Sequence, residues 1–315
     1  MIVKLKINDL LIELANLHPK YINLSLDRLE LLLNKLGNPH FKLPNTIHIA
    51  GTNGKGSTLS FIKNILIKNG YSCHTYTSPH LSNFKERIVI KNNEVSSKKL
   101  YECLKYVKKI NKNNQITFFE ITTAAAFLLF AETKADFLIL ETGLGGRLDA
   151  TNIIPKKILS IITPISMDHE EFLGNTITKI TKEKLGITKK SKNIIIAKQT
   201  SEVKKIIFKK LKIKKNVYYY KKDYVPLNKN SSKFLFKFKN KKIIFDKPKL
   251  LGDHQVENAS TAIASTLILK NLGYKINNKL ISKGVKETSW PGRLELINYN
   301  NKKIILDGSH NISGS

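Results

Sequence analysis

The sequence predicts an α/β protein: a mostly parallel sheet with helices on both faces. Three observations carry this. Short apolar runs alternate with longer amphipathic ones through most of the 315 residues, the pattern of successive strand–helix–strand units. A glycine-rich turn, Gly51-Thr52-Asn53-Gly54-Lys55-Gly56-Ser57, joins the first clear strand to a helix. Acidic and imidazole side chains recur where later strands end, and that is where open parallel sheets place ligands.

The elements follow in order. Residues 1–45 read as helical, with apolar spacing at Leu10, Leu11 and Leu14 and again from Leu29 to Leu36. Thr46–Ala50 is a short apolar strand, and the turn after it leads into an amphipathic helix from Thr58 to about Asn69. Ser72–Thr77 is the next strand. Helices near Lys98–Lys109 and Ile121–Thr133 precede a strand at Phe137–Glu141. Lys157–Thr163 and Asn193–Ala197 are further strands, with a helix from about Ile177 between them. Residues 201–250 are Lys-rich and carry strand-like runs at Val217–Tyr220, Lys233–Phe238 and Lys242–Phe245. They predict a small β-rich insertion rather than a separate domain. Gln255–Leu272 returns to the core as a helix. Pro291 and Gly292 break the chain, and Lys303–Asp307 begins a last strand.

Composition bounds the function. A hydrophobic content of 41% is ordinary for a globular protein. No run of 18 or more apolar residues occurs, so no membrane partner is expected. Met1–Leu10 mixes Lys and Asp among its apolar residues and has no small-residue cleavage site, unlike a secretory signal. Cys73 and Cys103 form neither a disulfide framework nor a metal spacing, so a reducing cytoplasm is the natural setting. The formal net charge of +30 invites a nucleic-acid partner. Against that, only four of the 54 basic residues are arginine: Arg28, Arg87, Arg147 and Arg293. Nucleic-acid readers use Arg for bidentate base contacts, whereas abundant Lys, Asn and Ile fit codons biased toward A and T. The four arginines matter for the opposite reason. Three lie in the motifs below, and a planar guanidinium fork does what Lys cannot.

The turn at Gly51–Ser57 sits between strand and helix, the setting of a phosphate-binding loop. Its glycines let backbone N–H groups approach phosphate oxygens, and the helix N-terminus favours an anion. Lys55 would reach the β- and γ-phosphates. An ordinary glycine-rich turn is the plain alternative. In the common pattern a Ser or Thr directly follows the Lys and holds Mg²⁺; here Gly56 stands there, leaving Ser57 or Ser78 to supply the hydroxyl. Glu141 ends one strand, and Asp168 and His169 follow another. A carboxylate and a neutral imidazole beside bound phosphates could complete a Mg²⁺ site, although either alone would be unremarkable. Lys184 lies on the helix after His169, and in so Lys-rich a chain it carries no weight from composition.

The motifs Gly51–Ser57, Thr77-Ser78-Pro79-His80-Leu81, Phe118-Phe119-Glu120, Glu141–Asn152, Asp168-His169, Glu183-Lys184, Asn258-Ala259, Pro291-Gly292-Arg293 and Asp307-Gly308-Ser309-His310-Asn311 run in one order along the chain. Together they resemble the folylpolyglutamate synthase/dihydrofolate synthase branch of the Mur ligase superfamily. Gly143–Asn152 is the most specific of them. The resemblance implies a phosphate site at Gly54, Lys55, Gly56 and Ser57, with Asn258, Arg293 and Asp307 holding the rest of the ATP. It implies Mg²⁺ ligands at Ser78, Glu141 and His169. Lys184 matches a lysine that CO₂ carbamylates, turning a cation into an anionic ligand for the second of two Mg²⁺ ions. Lys55, Lys184 and His169 are thus the implied catalytic residues. Tyr21, Ile22, Asn23 and Leu24, followed by Asp27 and Arg28, resemble a dihydropteroate-binding stretch. Thr117, Phe118, Phe119 and Glu120, with Leu148, Asp149 and Ala150, would complete that pocket. Phe119 could stack on a flat ring; core packing is the plain alternative for both phenylalanines.

The implied chemistry is ligation. A carboxylate of dihydropteroate or folate attacks the γ-phosphate of ATP, and the amine of L-glutamate then attacks the acyl phosphate. The protein is expected to act as a cytoplasmic monomer on these small molecules, with no specific nucleic acid. A peptidoglycan-type Mur ligase would need a nucleotide-sugar domain ahead of the ATP domain, and Gly51 leaves too little chain for one. A basic nucleic-acid ATPase would need a binding module that is not found. In the same reading residues 1–296 form the Mur-type ATP-binding central domain with its N-terminal helical segment. Residues 297–315 then open a C-terminal glutamate-ligase domain. A chain truncated there is expected to expose its last strand, bind Mg-ATP weakly and retain little or no ligase activity.

Overall fold

The computed structural model describes residues 2–20, 22–227, 232–299 and 302–309. The chain opens with helices α1 (Ile2–Ala15) and α2 (Asp27–Lys35), then enters strand β1 (Asn45–Ala50) and helix α3 (Lys55–Lys68). Strands β2 (Cys73–Tyr76), β3 (Ile88–Ile90) and β4 (Asn93–Glu94) follow, then helices α4 (Ser97–Asn111) and α5 (Phe118–Glu132). Next come β5 (Phe137–Glu141), β6 (Lys157–Ile162), the short α6 (Glu170–Leu173), α7 (Ile177–Leu185) and β7 (Ser191–Ile196). After α8 (Ser201–Leu211) come β8 (Val217–Tyr219), β9 (Tyr224–Leu227), β10 (Lys233–Phe238) and β11 (Lys241–Asp246). Helices α9 (Asp253–Asn271) and α10 (Asn278–Glu287) lead to β12 (Glu295–Tyr299) and β13 (Lys302–Leu306).

The main sheet has the order β4-β3-β2-β5-β1-β6-β7-β8. Every pairing from β2 to β8 is parallel, and β3 and β4 extend one edge antiparallel. The expected α/β architecture is therefore present. The central strands are near-continuous apolar runs because both sheet faces are covered. In β5, Phe137 and Ile139 join the core beneath α3, α9 and α10. Leu138 and Leu140 join the opposite core beneath α1, α2, α4 and α5. That split is the period of two of a strand. A third cluster packs α7 and α8 against β6 and β7. The chain leaves β1 toward one edge and leaves β5 toward the other, so a crevice opens at the strand ends beside β1.

One sequence expectation needs correction. Val217–Tyr220 reads as part of the insertion, but β8 pairs in parallel with β7 as the last strand of the main sheet. The helix before it, α8, buries Val203, Ile207 and Leu211, a stripe at i, i+4 and i+8 that the surrounding lysines obscure. The true insertion is the three-stranded sheet β11-β10-β9. It is not a separate domain, since Phe234, Phe236 and Phe245 share a core with Ala259 and Ile263 of α9. Its strand β9 escapes sequence reading because Pro226 lies within it; β9 is an edge strand, where proline is tolerated.

The hairpin β12–β13 pairs only with itself, and β13 is exposed along its length. Among the described residues no helix is long and apolar enough to cross a membrane.

Candidate active site

The site is built on the C-terminal ends of β1, β2, β5 and β6. Helix α3 begins at Lys55, three residues earlier than expected, so Lys55 stands in its first turn. Gly54 caps it at φ +79°, and a Cβ there would lie 2.5 Å from Asn258 Oδ1. Both the left-handed backbone and the close approach of α9 require glycine. Lys55 Nζ donates to the carbonyls of Gly51 (3.3 Å) and Thr52 (3.1 Å), folded against its own loop. Trp290 packs its indole against Gly56.

Across the crevice, Glu141 ends β5 and is 5% exposed. Its Oε2 faces the Ser78 amide at 3.4 Å. Burial raises its pKa above the usual carboxylate range, while Lys55 pulls it back down. Lys184 is 3% exposed, and its Nζ donates to Gly51 O at 2.9 Å. Burial, reinforced by the charge of Lys55, brings its amine down to about 7. Such an amine is largely neutral near physiological pH.

Lys184 is held there by the loop Glu141–Asn152. Arg147 N donates to Glu183 O (2.8 Å) and its Nε to Glu183 Oε1 (2.9 Å). Gly146 approaches the same turn so closely that a Cβ would meet the carbonyls of Glu183 and Lys184 at 2.8 Å. Asp149 is buried and organises this loop, accepting from Leu144 N (2.8 Å) and Thr151 N (3.0 Å).

A cleft of about 550 Å³ gathers the phosphate loop with Ser78, Glu141 and Thr142–Gly145. Asp168, His169 and Lys184 line it as well, as do Asn258, Arg293 and Asp307. All of the residues expected to hold phosphate, metal and nucleotide thus border one cavity. Asp307 accepts from Leu294 N (2.8 Å) and Ser309 N (2.7 Å), which ties the hairpin end to the segment bearing Arg293. His310 and Asn311 lie outside the described residues.

The residues expected to hold the acceptor form a neighbouring group that does not line this cleft. Tyr21 lies outside the described residues. Arg28 pairs with Glu120 through two bonds (3.1 and 2.9 Å) and donates to Asn23 O (2.8 Å). Ile22 is half-buried beside Asn23. Glu120 also takes the Thr117 amide (2.8 Å) in a capping box that starts α5. Thr117 and Glu120 therefore serve first to fix the N-terminal segment to that helix. Phe118 packs edge-on to Phe84, and Phe119 stacks on Tyr76, each at 5.8 Å. Leu24 and Leu144 pack on one core cluster beside the cleft. Leu148 is half-buried and Ala150 buried at the far end of the same loop.

Sequence reasoning missed Lys198, Gln199 and Thr200, which follow β7, and His254, Gln255 and Glu257 in the first turns of α9; all line the cleft. Lys198 Nζ bonds Glu257 at 2.9 Å, and Gln255 Oε1 accepts from Asn258 Nδ2 at 3.1 Å. The strand-end rule that found Glu141 and His169 applies equally to β7.

Known proteins share this arrangement. The family described as Mur ligase middle domain matches residues 49–266. The dihydrofolate synthase/folylpolyglutamate synthase of Bacillus subtilis (strain 168) is 36% identical over 92% of this chain and 70% of its own length. The structure of E. coli FolC in complex with DHPP and ADP superposes with a TM-score of 0.85 at 29% identity, covering 98% of this chain and 72% of that one. A bifunctional folylpolyglutamate synthase/dihydrofolate synthase with Mn, AMPPNP and L-glutamate bound gives a TM-score of 0.82 at 28% identity, covering 96% and 71%. The chain belongs to the dihydrofolate synthase/folylpolyglutamate synthase family of Mur ligases.

Proposed function

We propose that this ATP-dependent ligase joins L-glutamate to dihydropteroate, to a folate, or to both, through an acyl phosphate. The observation that carries the reading is the single cleft in which the phosphate loop, Glu141 and the buried Lys184 meet. In this reading the amides of Gly54–Ser57 and the Lys55 ammonium hold the ATP phosphates, and Asn258, Arg293 and Asp307 hold the rest of the nucleotide. The acceptor lies along Ile22–Leu24, Phe118, Phe119 and the loop Leu148–Ala150. Its carboxylate attacks the γ-phosphate in line, ADP departs, and the glutamate amine displaces phosphate from the acyl carbon. The protein's part is positioning and fixed positive charge.

The residues fit divalent metal when Lys184 is included in altered form. Among the described residues no three His, Cys, Asp or Glu side chains gather as a metal centre. The proposed set has two of those types, Glu141 and His169, with the Ser78 hydroxyl. An ammonium cannot ligate, but the amine of Lys184, brought down to about 7, is the form that reacts with CO₂. Its carbamate would supply the missing anion. Bound, two Mg²⁺ ions would neutralise charge on the transferring phosphoryl group. Residues 1–296 act as the ATP-binding unit in this proposal, and residues 297–315, which hold the second strand of the self-paired hairpin, belong to a second unit. The protein works as a cytoplasmic monomer without nucleic acid.

The test is an assay of the chain with ATP, Mg²⁺ and L-glutamate, offering dihydropteroate or tetrahydrofolate. Whatever ADP release the chain supports is expected to require an acceptor and to yield a product heavier by one glutamyl residue. ADP release driven by polynucleotide and indifferent to both acceptors would contradict the proposal.

A further inference from the structure

We propose that Arg87 binds a carboxylate of the acceptor substrate and that His80 orients its guanidinium. The proposal rests on the ligase reading above. Arg87 closes a single helical turn, Phe84–Arg87, and its carbonyl accepts from Thr77 N at 3.0 Å, so it stands beside the Thr77-Ser78 turn. The residue is only 8% exposed. A guanidinium that deep ordinarily has an acid beside it. Here Nε donates to His80 Nδ1 at 2.9 Å and the guanidinium carbon lies 5.1 Å from the centre of the Phe84 ring. No carboxylate or carbonyl pairs with its terminal nitrogens among the described residues. The adjacent acid cannot serve, because the Glu86 carboxylate accepts from the amides of Leu81 (2.7 Å), Ser82 (3.0 Å) and Asn83 (2.6 Å). Arg28 and Arg147, by contrast, each have a glutamate partner.

Position supplies the second half of the argument. Phe84 meets Phe118 edge to face, and Phe119 stacks on Tyr76. The far edge of the Phe119 ring lies against Gly143, where a Cβ would come within 2.6 Å of it. Phe118 and Phe119 are the first two residues of α5, so one ring pair reaches Arg87 and the other reaches Gly143 at the edge of the cleft. A flat aromatic acid at the start of α5 would set its ring against Phe119 and its carboxylate toward the guanidinium. The planar fork matches a carboxylate through two parallel bonds. The His80 imidazole accepts from Arg87 Nε through Nδ1, which fixes the plane of the guanidinium. His80 is thereby a positioning residue.

Equilibrium binding of two stable probes tests this on the full chain with Mg²⁺ and a non-hydrolysable ATP analogue. Pteroic acid carries the reacting carboxylate alone, and folic acid adds an α-carboxylate. The wild type is expected to bind both. Arg87→Gln should weaken at least one probe by about tenfold or more, with the affinity for the ATP analogue and the melting temperature unchanged. Arg87→Lys should lose most of the same affinity, because an ammonium lacks the fork; His80→Ala should lose less of it. Loss confined to folic acid assigns Arg87 to the α-carboxylate, and loss with both probes assigns it to the reacting one. Unaltered binding of both probes by Arg87→Gln, or an equal loss of the ATP analogue, overturns the proposal alone. A wild type that binds neither probe overturns the ligase reading with it.

Discussion

Lys184→Ala is expected to lower acceptor-dependent turnover by about a hundredfold or more while leaving the fold intact. The side chain is sealed between the phosphate loop and the turn gripped by Gly146 and Arg147, and its Nζ donates to Gly51 O. A buried lysine hydrogen-bonded to a carbonyl, with no carboxylate in salt-bridge reach among the described residues, contributes little to stability as an ammonium. It becomes useful once CO₂ converts it to an anion. Protein equilibrated with ¹³C-bicarbonate should show a carbamate NMR signal that Lys184→Ala removes. Small carboxylates should restore part of the activity by standing in for the carbamate oxygens. The neutral amine is the reactive form and its pKa is brought down to about 7, so the signal should grow as pH rises through that value. Normal turnover in Lys184→Ala, or an undiminished carbamate signal, would sink the assignment.

Lys55→Gln should cost a comparable factor, on the order of a hundredfold in turnover, with nucleotide affinity reduced and the melting temperature unchanged. Lys55 stands in the first turn of α3, where helix dipole and ammonium act on the same anion. Its two present acceptors, the carbonyls of Gly51 and Thr52, can be exchanged for phosphate oxygens. The control is Lys209→Gln combined with Lys210→Gln on the exposed face of α8. Removing those two charges from a net +30 should leave kcat and the KM for ATP unaltered. A control that cripples activity as Lys55→Gln does would mean that the overall charge, rather than the site, drives nucleotide use.

The parallel sheet and the phosphate loop are legible in the sequence because their signals are local. An apolar strand, a glycine-rich turn and a helix lie within about 25 residues, and strand ends point to Glu141 and His169. What escapes is whatever lysine enrichment or long-range packing disguises. The stripe Val203, Ile207, Leu211 is thin among lysines, so the α8–β8 crossover reads as part of an insertion. Pro226 hides an edge strand. By composition Lys184 looks like any surface lysine; only the family resemblance singles it out before the fold places it at 3% exposure against Gly51. Lys198, Gln199 and His254 carry no motif and reach the cleft only because β7 ends and α9 begins there. The rarity of arginine is informative: Arg28 and Arg147 make ion pairs that anchor the N-terminal segment and the Lys184 turn.

The central claim is that ATP activates a carboxylate before glutamate attacks it. Acceptor labelled with ¹⁸O in its reacting carboxylate is the most direct measurement. As the amine displaces phosphate, the bridging oxygen leaves with the phosphorus. Mass spectrometry of the inorganic phosphate should therefore find one ¹⁸O for each amide bond formed. Amide product accompanied by phosphate free of ¹⁸O would contradict the account.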